Sequence, residues 1–192
     1  MKYLVIVFVI VFSHSSYSQQ NKEWEEGFKI GLNDFQSSVT KIDKQLNNYT
    51  CLAALEIEFY FEMNGIQFMF TKHFNSKVTA TFQKDASYIQ APDSAVARYL
   101  LEYSNFAFDL TELYARRLRK ELFEEKKFFS RTDYYRSIYK RHIAELNEKM
   151  AEVSAKSELG KIKSTLTIEH QKVQQELQLL KSFCKGCIPV QE

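Results

Sequence analysis

The sequence predicts an α+β fold, in which a short N-terminal antiparallel sheet of about three strands precedes three helices, the first of them long. Over much of residues 51–89, apolar and polar residues alternate with a period of two, which is typical of strands with one buried face. From residue 93 onward, apolar residues recur at spacings of three and four, the period of a helix. Glycine (5) and proline (2) are scarce, which favours a single globular domain over residues 19–192.

The first 18 residues have the features of a cleavable signal peptide. Lys2 provides a basic start, residues 3–12 form an apolar run too short to span a bilayer, and Ser16 and Ser18 precede the expected cleavage site. We therefore expect export to the periplasm, the cell surface or the medium, with no transmembrane span after cleavage. Lys2 is one of 26 basic residues against 24 acidic ones, so the mature chain is nearly neutral and no nucleic-acid partner is indicated.

Three strands are expected between residues 51 and 89. The first covers 52–61, where Leu55, Ile57 and Phe59 alternate with polar side chains. Asn64-Gly65 is a typical hairpin turn, which makes 66–70 the partner strand. A third alternating segment, 77–82, completes a meander, and 87–89 is a short extended exit from it. Before the meander, residues 19–50 are expected to form a short extended piece and a loop.

Three helices follow. The first is predicted over 93–127 with Asp93 as its N-cap, the second over 131–157 until Leu159-Gly160 breaks it, and the third over 164–183. The first helix carries one apolar stripe: Val96, Tyr99, Leu100, Tyr103, Ala107, Leu110, Tyr114, Leu118 and Leu122. Its polar face carries Arg98, Glu102, Asn105, Asp109, Glu112, Arg116 and Arg119. We expect Asp109 and Glu112 to be solvated carboxylates or partners of Arg116.

The three cysteines suggest a structural disulfide. Cys184 and Cys187 form a Cys-x-x-Cys motif near the C-terminus, and Cys51 stands alone. In an exported protein, either Cys184–Cys187 or a pairing of one of them with Cys51 is chemically reasonable. A redox catalyst is less favoured, because the motif follows a helix instead of opening one. A zinc site is also disfavoured, because one such motif supplies only two of about four ligands.

The segment 100–120 carries a resemblance to a known family. Phe108, Asp109, Glu112, Tyr114, Ala115, Arg116, Leu118, Arg119 and Lys120 match the second half of the pattern HExxHFDxxExYARxLRK. This pattern is typical of a bacterial family of secreted zinc-dependent protease-like proteins (domain of unknown function 922), which the chain resembles over residues 32–123. Two upstream segments, Leu32-Asn33-Asp34-Phe35 and Phe82 with Ser87-Tyr88, resemble the family's entry motif and strand exit.

The chain differs from the family pattern at the zinc ligands and the general base. In HExxH, two histidines on one helix face bind zinc and the glutamate acts as general base. The residues aligned with the first histidine, the glutamate and the second histidine are Tyr103, Ser104 and Ala107. None of them can take the role of the motif residue. We therefore predict no metal ligand, no catalytic residue and no cofactor, and expect Tyr103, Ser104, Ala107, Asp109 and Glu112 to be a vestigial site whose metal face has become core packing. His170 is a candidate for the family's later histidine.

Three hypotheses for function follow. The preferred one is an exported non-catalytic relative of the family that acts as a binding or scaffold protein of the cell envelope, with another envelope protein as a possible partner. The first alternative is a hydrolase with Asp109 and Glu112 as acid and base. The second is a binder of anionic lipid or polysaccharide, because residues 115–141 hold ten basic and four acidic side chains.

Overall fold

The structure, a computed structural model, describes residues 21–60 and 62–189 and has the predicted α+β architecture. The predicted signal peptide, residues 1–18, lies outside the described residues. The strands are β1 (Asn21–Glu23), β2 (Lys41–Ile42), β3 (Thr50–Leu52), β4 (Leu55–Phe59), β5 (Val78–Gln83) and β6 (Tyr88–Ala91). The helices are α1 (Gly65–Phe70), α2 (Ser94–Glu125), α3 (Tyr135–Ser157) and α4 (Lys163–Leu179), and 3-10 turns cover Leu32–Asp34, Asn75–Lys77 and Lys181–Phe183.

The strands form two small sheets. In the first, β5 pairs antiparallel with β1 on one side and with β4 on the other. The register sets Leu55 opposite Phe82, Ile57 opposite Ala80 and Phe59 opposite Val78, so the alternating apolar residues share the face that packs on α2. In the second sheet, β6 lies between β2, to which it is parallel, and β3, to which it is antiparallel.

The predicted hairpin at Asn64-Gly65 is wrong, because residues 65–70 form helix α1 and not a strand. The Asn64 side chain accepts a hydrogen bond from the Gln67 amide at 2.8 Å, and the Gln67 side chain accepts one from the Asn64 amide at 3.1 Å. This reciprocal cap satisfies two backbone donors that would otherwise be unpaired. The strand that completes the first sheet is therefore β1.

The helix predictions are confirmed to within a few residues, except that α4 gives way to a 3-10 turn before residue 183. Asp93 caps α2 by accepting hydrogen bonds from the amides of Ala95 and Val96 at 2.8 and 2.9 Å. Gly160, with a φ of 94°, turns the chain after α3, and a Cβ there would lie 2.5 Å from the Tyr99 carbonyl oxygen. Among the described residues, no helix has the length and apolarity that crossing a membrane requires.

Helix α2 is the central element of the fold. It contacts α3, α4, β4, β5, β6 and the turn at Lys181–Phe183. Every residue from Phe106 to Arg116 is buried, so the predicted polar face is wrong in this part of the helix. The reason is that α4 and the C-terminal turn cover the side of α2 that the sheet and α3 leave open, which sequence spacing within α2 does not reveal.

Candidate functional site on the long helix

The residues at the positions of the HExxH zinc ligands and general base lie in the protein interior. They are Tyr103, Ser104 and Ala107. Ala107 is 2 % exposed and packs in the core cluster together with Tyr103. The Tyr103 hydroxyl donates to the Met150 carbonyl oxygen at 3.3 Å, and the Ser104 hydroxyl donates to the Leu100 carbonyl oxygen at 2.9 Å. Burial raises the pKa of Tyr103, which keeps its hydroxyl protonated. These side chains therefore do not fit a zinc ion, because one has no ligand atom and the two hydroxyls are engaged with backbone carbonyls.

Within residues 21–60 and 62–189, no group of three or more His, Cys, Asp or Glu side chains could hold a metal ion. His170, the candidate for the later family histidine, lies on α4 and contacts Phe106 edge-on, with ring centroids 5.8 Å apart. Its closest carboxylate contact is Asp109, and no second histidine joins them among the described residues.

Asp109 instead connects three separate parts of the chain. Its Oδ1 accepts a hydrogen bond from the Trp24 indole N–H at 2.8 Å, and its Oδ2 lies 2.7 Å from His170 Nε2. Lys29 Nζ approaches Oδ2 at 3.9 Å. The prediction of a solvated carboxylate is thus wrong for Asp109, because the loop after β1 and α4 supply partners that hold it in a buried position.

Asp109 lines a cleft beside α2. This cleft, about 410 Å³ in volume, is lined by the loop after β1, by α2 and by α4; its lining includes Trp24, Phe28, Lys29, Asp109, Arg116 and Gln174. The Arg116 guanidinium carbon lies 5.1 Å from the centre of the Trp24 ring, in cation–π contact. The cleft therefore presents aromatic surface beside fixed charges of both signs, which is a usual composition for a binding site.

Glu112 is the centre of a buried ionic network. Its Oε1 accepts from Arg116 Nε at 2.9 Å and from Arg119 Nη1 at 2.8 Å, and it is only 3 % exposed. Arg119 also donates to the carbonyl oxygens of Val78 and Phe183, and Arg116 donates to that of Leu177. A buried charge is tolerated only where its partners are as complete as these. The network therefore fixes α2 to β5, to α4 and to the C-terminal turn.

The geometry does not favour Asp109 and Glu112 as an acid–base pair. Asp109 lines the cleft, whereas Glu112 does not, and two guanidinium groups occupy the Glu112 carboxylate. A general base must reach a substrate proton within hydrogen-bond distance. Glu112 is placed to hold the fold together and not to meet a substrate.

The segments that carry the family resemblance meet in one part of the core. Phe35 of the upstream motif packs on Phe82 with ring centroids 5.5 Å apart, and Phe82 packs on Phe108 at 6.1 Å. Most of the matching residues on α2 are buried. The matching pattern therefore corresponds to packing and ion-pair positions in this protein.

The Cys184–Cys187 segment is held by a disulfide and by the buried side-chain amide of Asn75. Cys184 and Cys187 are bonded to each other, and Cys51 is a free thiol near Ser104, with Sγ and Oγ 3.4 Å apart. Asn75 Nδ2 lies 3.0 Å from the Cys187 carbonyl oxygen and 3.1 Å from that of Cys184. These contacts place the Cys-x-x-Cys segment against the turn before β5, beside the Arg119 network.

Most of the basic residues in 115–141 have acidic partners within the protein. Arg117 pairs with Glu176, Lys120 with Glu124, and Arg141 with Glu121. Burial would raise the pKa of Glu121, but hydrogen bonds from Arg141 and His142 lower it overall. Together with the buried Arg116 and Arg119, these pairs engage several of the segment's basic side chains within the protein.

Comparisons of the chain with protein-family models, with curated proteins and with solved structures gave no match. The family resemblance thus depends on the motif residues alone. Sequence reasoning missed Trp24, Lys29 and Asn75 as partners of the site. Only the single tryptophan of the chain offered a signal, since an isolated indole in a polar segment often has a hydrogen-bonded role.

Proposed function

We propose that the protein is an exported, non-catalytic relative of secreted zinc-protease-like proteins and acts as a binding or scaffold protein of the cell envelope. The observation that supports this most strongly is the burial of Ala107 and Tyr103 in the core at the positions of the two HExxH histidines. A metalloprotease needs those two ligands and a carboxylate base on one accessible helix face.

The cleft beside Trp24 is the candidate contact surface. Its walls come from three separate elements that the Asp109 hydrogen bonds fix relative to each other, so the surface is formed before any partner arrives. A pre-formed surface loses less entropy when it binds than a mobile one does. The mixed aromatic and charged lining suits a polypeptide or another polar partner better than a purely apolar ligand.

The test uses the chain without its predicted signal peptide, residues 19–192. Hydrolysis of unstructured peptides should equal that of a blank and should not respond to a chelator. Cross-linking in an envelope extract should capture a specific partner, and Trp24→Ala should weaken the capture, whereas Leu179→Ala, at an exposed apolar residue outside the cleft, should not. Peptide hydrolysis that a chelator abolishes and zinc restores would overturn the proposal.

A further inference from the structure

A second pocket opens between the first half of α2, the first half of α4 and the chain around Ile30. Its volume is about 470 Å³, within the range of about 300–1,000 Å³ that small-molecule sites have. It is separate from the cleft beside Trp24, although Lys29 lines both. We call it the α2–α4 pocket.

Part of the α2–α4 pocket is apolar. Ile30, Leu101 and Leu166 line it, each from a different segment of the chain. Ile30 and Leu166 belong to the protein interior, and Leu101 is half-buried and packs against the core. An aliphatic chain that covers this surface removes it from water, which favours binding.

The walls of the α2–α4 pocket are fixed by hydrogen bonds. Asn105 Oδ1 accepts from the Ile30 amide at 2.8 Å, and Asn105 Nδ2 donates to the Ile30 carbonyl oxygen at 3.0 Å. One side chain thus holds both backbone groups of Ile30 against α2. On the α4 wall, the contact between His170 and Asp109 joins the helix to α2 at 2.7 Å. The pocket is therefore formed before a ligand enters, which reduces the entropy lost on binding.

The charge of the α2–α4 pocket is positive overall. Three cationic side chains line it, on Lys29, Arg98 and Lys163, together with the carboxylate of Glu102. Lys163 Nζ lies 3.8 Å from Glu102, and Lys29 Nζ lies 3.9 Å from Asp109, so each lysine has a carboxylate partner in the protein. Arg98 is exposed and makes no ion pair in the described part of the chain. Arg98 is therefore the cation of the pocket that lacks a counter-charge.

We propose that the α2–α4 pocket binds a small aliphatic monocarboxylate, whose carboxylate pairs with Arg98 while its hydrocarbon chain covers Leu101 and Leu166. A guanidinium group can donate two parallel hydrogen bonds to one carboxylate. A dianion fits less well, because Glu102 would repel its second negative charge. This inference goes beyond the proposed function. Arg98 and Leu101 do not line the cleft beside Trp24, so either proposal can fail alone.

The test is an amide NMR titration of isotope-labelled residues 19–192 with hexanoate, acetate and 1-hexanol. Hexanoate should shift the amides around the α2–α4 pocket in a saturable way, with a dissociation constant of about 1 mM or tighter. Acetate has the charge without the chain, and 1-hexanol has the chain without the charge. Each should bind at least about tenfold more weakly than hexanoate.

Three variants assign the binding to the pocket residues. Arg98→Gln should weaken hexanoate binding at least about tenfold, because the charged partner of the carboxylate is lost. Leu101→Ala should weaken hexanoate binding about threefold and leave acetate binding unchanged, because it removes apolar contact only. Arg136→Gln changes an exposed arginine on α3 outside the pocket and should bind hexanoate like the wild type.

Circular dichroism of the three variants should match that of the wild type, which separates a loss of binding from a loss of folding. Several outcomes would overturn the proposal. They are the absence of saturable shifts with hexanoate, shifts centred on another part of the protein, equal affinities for hexanoate and 1-hexanol, and an unchanged affinity in a folded Arg98→Gln variant.

Discussion

His170 Nε2 lies 2.7 Å from Asp109 Oδ2, and this contact joins α4 to the middle of α2 across 61 residues of sequence. The same carboxylate accepts the Trp24 indole N–H at 2.8 Å, so one side chain of α2 fixes both the loop after β1 and the third long helix. The cleft exists because these three elements are held at this distance.

Replacing Asp109 by alanine should therefore loosen the cleft and reduce stability. The change leaves the Trp24 and His170 nitrogens without their acceptor, which costs on the order of 1–3 kcal/mol of unfolding free energy. Trp24 is the only tryptophan, so its emission reports the cleft directly and should shift to longer wavelength. Urea unfolding and tryptophan emission measure the two effects. Asp85→Ala, at an exposed aspartate, is the control and should change neither quantity.

Replacing Glu112 should lower the free energy of unfolding more than replacing Asp109 does. Glu112→Gln leaves Arg116 and Arg119 buried without their counter-charge, which should lower the free energy of unfolding by about 3–5 kcal/mol. The matched control on the same helix is Glu124→Gln, which removes a surface pair with Lys120 and should cost less than about 1 kcal/mol. Equal unfolding midpoints for the two variants would contradict a structural role for Glu112.

Cys51 provides a prediction about pH. Burial raises the pKa of the Cys51 thiol from 9.0 to about 11, although the hydrogen bond with Ser104 opposes this shift. At pH 8 its thiolate fraction should be about 100-fold below that of a free thiol, so iodoacetamide should modify it only after unfolding. Mass spectrometry of native and urea-treated protein checks this, and a native labelling rate equal to that of free cysteine would show the burial to be wrong.

The raised pKa of Cys51 also affects stability at alkaline pH. Because the folded thiol keeps its proton to higher pH than the unfolded thiol, its contribution to stability is complete below about pH 9 and is lost as the pH rises to about 11. Cys51→Ala should remove that part of the alkaline decline. Urea unfolding at several pH values between these limits measures it for both proteins.

Gly160 tests the packing of α3 against α2. Gly160→Ala combines a left-handed φ of 94° with a Cβ only 2.5 Å from the Tyr99 carbonyl oxygen. It should therefore lower the free energy of unfolding by at least about 2 kcal/mol. Gly186→Ala is the matched control, since a Cβ there meets no atom within 4 Å, and should change stability by less than about 0.5 kcal/mol. Thermal unfolding of the two variants should separate them clearly.

Local signals predicted the elements whose structure is decided locally. Asp93 has a side chain that favours the N-cap position, and Gly160 can adopt the positive φ of a turn, so the sequence predicts both features. The alternation of Leu55, Ile57 and Phe59 likewise predicts a strand. Asn64-Gly65 fits a hairpin turn as well as a helix N-terminus, and the five residues after it are too few to separate the two periods. There the reciprocal Asn64–Gln67 cap favoured the helix.

The contacts of the candidate site could not be predicted in the same way. Asp109, Glu112 and Arg119 look like an exposed polar face because their spacing matches one, yet their partners come from distant segments. Arg119 donates to Val78 and Phe183, and no spacing rule within a helix indicates such acceptors. The absence of the HExxH residues is visible directly in the sequence, because it depends on residue identity alone.

The measurement that tests the central claim most directly is thermal unfolding of the oxidised chain, residues 19–192, with excess zinc and with a chelator. A resident zinc site would raise the unfolding temperature through preferential binding to the folded state, and a chelator would lower it. Because the HExxH positions hold Tyr103, Ser104 and Ala107 in core packing, we predict the same unfolding temperature in both conditions and no stoichiometric zinc in the purified protein. A higher temperature with zinc, a lower one with the chelator, and about one zinc ion per chain would contradict this account.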